Sequence, residues 1–328
     1  MQINIKDLDS KNIGHLSSEK IVSFLERNNI KEVRKIERVK GGVTHYVFHI
    51  ITESDEFYLK IRSYSFAEIS SVKCHPSEIR HEIKAIDIFS NILPNYIPRV
   101  VAYDEHDGLF LMTSVMSANQ NLRSLLKSQN ITVEGVIHLG KGIGIIHQRL
   151  ALIDESIRDD DDIQVYEDLL EFRFGLPYVY DQIRNVINEL KKRPRTLVFG
   201  DLWPANLGLV HNELRIIDFD MAHRGNPIAD IGFLFGNIYL MRMQQEFQDS
   251  AADYIKNFLL GYRLNSNFIP THDEDLLKRI VLCTILHRLN YVSNSADTTK
   301  RFIDKVCFIL VSGQQLSWND LEQQLLNV

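Results

Sequence analysis

The spacing of apolar positions changes about a third of the way along the chain. "LSSEKIVSFLERNNI", Leu16 to Ile30, carries apolar residues at helical spacing behind Ser17, a capping residue type. Three strand-like runs follow, "VRKIERVKGG", "THYVFHI" and "EFYLKIR". Gly41-Gly42 and the turn from Thr52 to Asp55 separate them, which predicts an antiparallel meander. "SEIRHEIKAIDIFSNIL", beginning at Ser77, predicts an amphipathic helix with Pro76 closing the preceding loop and Ser77 as its cap. Two more strands are predicted in "RVVAYDEH" and "LFLMTSV", with Asp107-Gly108 as the hairpin turn.

After Ser117 the pattern becomes helical. "NLRSLLKS", "VEGVIHLGKGIGIIHQRLALI" and much of Glu167 to Leu190 have helical spacing. Thr196 to Asp220 interrupts with short apolar runs, and Ile228 to Val328 reads mainly as helix. The expected fold is α+β and two-lobed. A β-rich N-terminal lobe with one main helix (1–116) precedes a helix-rich C-terminal lobe (117–328), and Thr113 to Asn119 is the hinge.

Composition narrows the classes. The chain has 328 residues, 45% of them hydrophobic, and a formal net charge of -6. It is long enough for a sizeable core, and it lacks the basic surplus that nucleic-acid binding needs. "KKRPR", Lys191 to Arg195, reads as a solvated helix end. Cys74, Cys283 and Cys307 are far apart and odd in number, which speaks against a disulfide framework and for a reducing compartment. The N-terminus has no apolar core of signal-peptide length, and no apolar run approaches membrane-spanning length. The expectation is a cytoplasmic protein with no nucleic-acid or membrane partner. "IDESIRDDDDI", Ile153 to Ile163, reads as a solvated acidic loop, with attraction of a cationic substrate as its functional alternative.

The chemistry is concentrated in "FGDLWPANLGLVHNELRIIDFD", Phe199 to Asp220. Asp201 and Asn206 lie five residues apart at strand ends, and Asp218 ends the last apolar run. Hard divalent cations take oxygen ligands, so one or two carboxylates and a carboxamide oxygen suit Mg²⁺. A further carboxylate off the metal can orient an attacking hydroxyl, and phosphoryl transfer by kinases uses this set.

"GDLWPANL…IIDFD" resembles the catalytic and metal loops of the aminoglycoside phosphotransferase and choline kinase superfamily, with similarity to methylthioribose and fructosamine kinases. "GNPIADIGFLFGN", Gly225 to Asn237, is similar to the segment that follows in that superfamily. The resemblance implies a protein-kinase-like fold using ATP and Mg²⁺. It makes Asp201 the catalytic aspartate, Asn206 and Asp218 metal ligands, Asp220 a second acidic ligand, and Asp230 a brace for the catalytic loop. It places the nucleotide-covering hairpin at "GGVTHYVFHI", with Gly41, Gly42 and Thr44. It makes Lys60 the phosphate-binding lysine and Glu82 its ion-pair partner, and it puts His147 on the helix that precedes the catalytic loop. Phe199 departs from the pattern by standing where the family has a histidine that braces the loop.

The expected activity is phosphorylation of a hydroxyl on a small molecule. An aminoglycoside, an amino alcohol, a sugar and a natural product all remain open as acceptors. Phe199 and the short glycine hairpin motivate a second class, a nucleotide-binding pseudokinase or regulatory module. A third reading keeps catalysis and makes a protein the acceptor.

Overall fold

The structure is a computed structural model. It describes residues 13–39, 43–157, 167–168, 170–171, 181–292 and 296–327. The chain divides into two compact units, Met1–Val115 and Met116–Val328.

The first unit is an antiparallel sheet with two main helices. Helix α1 (Ser18–Arg27) is capped by Ser17, whose side chain accepts from the Lys20 N–H. Strands β1 (Lys35–Val39), β2 (Tyr46–Ile51) and β3 (Glu56–Ile61) form the predicted meander. Helix α2 (Ile79–Ile92) then precedes β4 (Val100–Asp104) and β5 (Leu109–Thr113). The sheet order is β1-β2-β3-β5-β4, so β5 pairs with the strand that carries Lys60. Ile21, Phe24 and Leu25 of α1 pack with Phe48, Ile50, Leu59 and Leu111 in one apolar cluster. The cap of α2 differs from the sequence expectation. Pro76–Glu78 forms a 3-10 turn, and His75 and Glu78 make a reciprocal capping box around it, with Ser77 inside the turn. An imidazole nitrogen here takes the accepting role that the pattern rule gives to a hydroxyl.

The second unit is mainly helical. Its N-terminal part holds α3 (Leu122–Lys127) and α4 (Val133–Leu150), followed by α5 (Asp181–Lys191). Four short strands come next: β6 (Thr196–Val198), β7 (Leu207–Val210), β8 (Glu213–Ile216) and β9 (His223–Gly225). They form two antiparallel pairs, β6 with β9 and β7 with β8. Helices α6 (Pro227–Met243), α7 (Ala251–Arg263), α8 (Glu274–Val292), α9 (Ala296–Ser312) and α10 (Trp318–Leu326) complete it. Helix α6 is buried on almost every side, as its run of apolar residues requires. Gly140 lets α4 lie against α7, because a Cβ there would sit 2.0 Å from the Phe258 carbonyl oxygen.

Among the described residues no helix is long and apolar enough to cross a membrane. Cys74, Cys283 and Cys307 form no disulfide. Burial pushes the Cys283 thiol up to about 12, which keeps it protonated and inert. Arg158 to Ile163 of the acidic loop, and Gly41 and Gly42 of the hairpin, lie outside the described residues.

Candidate active site

In the second unit the site is built on two short antiparallel strand pairs, β6 with β9 and the β7-β8 hairpin between them, and on the loops that join them. Strand β6 delivers the chain into Phe199-Gly200-Asp201. Gly200 has φ +71°, and a Cβ on it would lie 1.9 Å from the Met221 carbonyl oxygen. Only glycine fits that turn, and it sets the direction of Asp201. The next residues coil tightly: the Trp203 N–H donates to the Asp201 carbonyl at 2.7 Å and the Asn206 N–H to the Trp203 carbonyl at 2.8 Å.

Asn206 is buried. Its Nδ2 donates to both the Asp201 carbonyl and Asp201 Oδ2, each at 3.1 Å. Those two acceptors fix the orientation of the carboxamide, because only nitrogen can donate to them. Oδ1 is left as the oxygen that could face a cation. The Asn206 carbonyl accepts from the Ile217 N–H at 2.8 Å, which ties the loop holding Asn206 to the one holding Asp218. His211 and Asn212 both have positive φ and make the tight turn between β7 and β8. Strand β8 stops at Ile216, two residues earlier than the apolar pattern suggested. Asp218 therefore sits on a loop, with φ +68°, a conformation that aspartate tolerates better than most residues. Asp220 is buried nearby in sequence.

Asp230, at the start of α6, holds the Phe199-Gly200-Asp201 turn from behind. Its Oδ2 accepts the Phe199 N–H at 2.8 Å and its Oδ1 the Gly200 N–H at 2.9 Å. His147 on α4 faces the same carboxylate, with Nε2 3.4 Å from Oδ2. That is a close electrostatic approach rather than an aligned hydrogen bond, since His147 Nε2 has no geometric partner. His147 Nδ1 lies 2.9 Å from the Tyr262 hydroxyl. Burial is the main cause that pushes the Tyr262 hydroxyl far up, and the Asp230 charge adds to it. The phenol stays protonated, and its hydrogen bond holds the His147 ring beside Asp230. Phe199 fills the space between His147 and Phe219, with ring centroids 5.7 and 6.1 Å away. The phenylalanine supplies packing, and its backbone supplies the hydrogen bond to Asp230.

Trp203 has Arg288 over its ring at 4.6 Å and Arg123 at 5.7 Å. Glu246 grips Arg123 through Nε and Nη2 at 3.0 and 2.8 Å, and the Arg123 N–H donates to the Pro204 carbonyl at 2.9 Å. The loop after Asp201 is thus clamped on both its backbone and its indole. Sequence reasoning missed this clamp, strand β9 and Tyr262.

In the first unit, Lys60 and Glu82 are both buried, and Lys60 Nζ lies 2.5 Å from Glu82 Oε1. Lys60 also stands 5.8 Å from the Phe110 ring centre. Thr44 precedes β2, its Oγ1 2.7 Å from His45 Nδ1.

The profile of the phosphotransferase enzyme family matches residues 35–264, more than half of the 328 residues, and the chain belongs to that family. By sequence it is 22% identical over 200 residues to 4-hydroxytryptamine kinase of Psilocybe cyanescens. That match covers 52% of this chain and 55% of the relative, so it spans about half the length of the curated protein. By fold, the chain is similar to amicoumacin kinase hAmiN in complex with AMP-PNP, Ca²⁺ and Ami. The TM-score is 0.56 at 13% identity, over 93% of this chain and 99% of that one. It is equally similar to choline kinase LicA from Streptococcus pneumoniae, with TM-score 0.56 at 16% identity, over 90% and 100% of the two chains. These likenesses establish the α+β, protein-kinase-like fold expected from the sequence.

Proposed function

We propose that the protein is an ATP- and Mg²⁺-dependent kinase that phosphorylates a hydroxyl of a small molecule. The observation that carries this reading is the double hydrogen bond from Asn206 Nδ2 to Asp201. It joins the two residues that phosphoryl transfer needs side by side, a carboxylate to orient the nucleophile and an amide oxygen for a metal.

The residues present suit both groups. Asn206 Oδ1 and the carboxylates of Asp218 and Asp220 are all oxygen donors, the kind Mg²⁺ takes. Lys60 is buried with its charge balanced by Glu82, which suits a cation held ready for phosphate oxygens. Mg²⁺ would supply charge neutralisation of the phosphates. Asp201 orients the acceptor hydroxyl and takes its proton. Lys60 binds the α- and β-phosphates, and Glu82 keeps its ammonium in place. Gly41, Gly42 and Thr44 cover the nucleotide. The N-terminal residues 1–116 serve as the nucleotide-binding lobe and 117–328 as the catalytic and acceptor-binding lobe. The relatives' names span a hydroxytryptamine, choline and amicoumacin, which supports a small-molecule acceptor and leaves its identity open.

Such catalysis is mostly positioning, so Asp201→Asn is expected to remove most turnover while leaving ATP affinity within about twofold. Because Asn206 Nδ2 also bonds the Asp201 backbone carbonyl, the loop keeps one of its two ties in this variant. The measurement is phosphate incorporation from ATP into a metabolite extract, read by mass, beside equilibrium binding of ATP. Wild-type turnover in Asp201→Asn would overturn the assignment. ATP binding by the wild type, with no transfer to any alcohol or protein, would favour the regulatory module.

A further inference from the structure

One residue past the end of β3, Arg62 is buried, and its backbone N–H still donates to the Gly108 carbonyl at 2.8 Å. Its Nη2 lies 2.7 Å from Glu78 Oε2. Glu78 Oε1 in turn accepts the His75 N–H at 2.9 Å, closing the capping box that starts α2. Lys60 and Arg62 are two residues apart in the extended chain at the end of β3, and Glu78, the N-cap of α2, is four residues before Glu82 in its first turn. Two residues along a strand advance about 6.6 Å, and four along a helix about 6 Å. The two ion pairs are therefore parallel rungs of matched spacing between β3 and α2. Two carboxylates at this helical spacing repel each other when alone, and each here faces its own cation.

Arg62 reaches the hairpin as well. Its Nη1 lies 3.4 Å from His45 Nε2, and His45 Nδ1 lies 2.7 Å from Thr44 Oγ1. A guanidinium only donates. Nε2 must then accept, Nδ1 carries the proton and donates it to Thr44 Oγ1, and the threonine hydroxyl keeps its own proton for another acceptor.

We propose that Arg62 is a positioning residue for nucleotide binding. Through Glu78 it sets the register of α2 so that Glu82 meets Lys60, and through His45 it presents Thr44 as a donor. This rests on the reading of Lys60 as the phosphate-binding lysine. Lys60 and Thr44 address phosphates, so the consequence is selective: losing the second rung weakens the hold on the phosphates and leaves the base and sugar alone.

The test is calorimetric titration with ATP·Mg²⁺ and, separately, with adenosine. The proteins compared are wild type, Arg62→Ala, Glu78→Gln and the exchanged pair Arg62→Glu with Glu78→Arg. The Glu78 side chain is 40% exposed, and glutamine can still accept the His75 N–H, so Glu78→Gln keeps the test valid even if Arg62→Ala fails to fold. Both single variants are expected to raise the ATP Kd roughly tenfold, a loss of about 1.4 kcal/mol, with the adenosine Kd unchanged. The exchanged pair should recover most of the loss. Since a glutamate at 62 repels phosphate, that recovery also excludes direct contact by Arg62. An unchanged ATP Kd in Glu78→Gln overturns the proposal. So does an equal weakening for adenosine, which would make the rung purely structural. A wild type that binds neither ligand sinks the nucleotide reading itself, and this proposal with it.

Discussion

Asp218 and Asp220 separate the readable from the unreadable part of the site. The order Asp201, Asn206, Asp218 is legible because these residues are near one another in sequence and their types match the chemistry. The backbone at Asp218 is not legible: its φ of +68° depends on where β8 stops. That conformation changes how the site is tested. Alanine at 218 would add backbone strain to the loss of a ligand, whereas asparagine adopts the left-handed region readily, so Asp218→Asn isolates the carboxylate. In the proposed reading, Asp218→Asn abolishes Mg²⁺-dependent enhancement of ATP binding. Asp220→Asn shifts the Mg²⁺ midpoint upward by roughly tenfold because Asn206 and Asp218 still supply oxygens. ATP binding titrated against Mg²⁺ decides between these outcomes. An unchanged midpoint in Asp220→Asn removes that residue from the metal site, and one in Asp218→Asn undoes the metal reading of the whole stretch. Phe199 shows the same division. Its departure from the family pattern is visible in the sequence. The compensation by His147, Tyr262 and its own backbone is not, since His147 and Tyr262 are 115 positions apart.

At the scale of elements, periodicity located the five strands of the first unit and the helices at Ser18, Ile79, Leu122 and Val133. It read Ile228 to Val328 only as mainly helical, and it failed where an element is set by its partners. Strand β9 has only three residues and exists because β6 needs a neighbour. The bond that anchors the end of α5 is also tertiary. Arg193, just beyond α5, grips Asp273 through Nη1 and Nη2 at 2.7 and 2.8 Å, next to the start of α8. In the sequence Arg193 belonged to a cluster that read as a solvated helix end, and the structure corrects this for that residue. Hydrogen bonds from Arg193 hold the Asp273 carboxyl below its ordinary value of 3.8, against a smaller upward push from burial. A carboxyl depressed on folding contributes stability that is present above its unfolded pKa and lost as pH falls through the folded one. Asp273→Asn should therefore cost about 1–3 kcal/mol near neutrality, and the difference from wild type should shrink from about pH 4 downward. Thermal unfolding of both proteins across that range measures it. A difference independent of pH would mean that Asp273 acts through packing alone.

For the whole chain, the family match ends at residue 264, yet the segment beyond it is built into the second unit. Trp318 of α10 meets Phe235 of α6 edge-on at 6.0 Å, and the Tyr239 hydroxyl donates to the Trp318 carbonyl at 3.0 Å. Glu322 of α10 accepts the Ala251 and Ala252 N–H groups at 2.9 and 3.0 Å and the Ser250 hydroxyl at 2.7 Å. A carboxylate from one helix thus satisfies the first donors of another, where the helix dipole favours negative charge. Helix α7 carries Tyr262, which bonds His147, which faces the carboxylate holding Phe199 and Gly200. Helix α10 is therefore linked to the Phe199-Gly200-Asp201 turn through α7. Glu322→Ala leaves two buried N–H groups without their acceptor and should destabilise the second unit by about 1–3 kcal/mol. Glu322→Gln, which keeps an acceptor oxygen, should cost less. Denaturant unfolding measures both. Equal losses for alanine and glutamine would assign the effect to the negative charge, and no loss in either would make α10 a dispensable addition to the family fold.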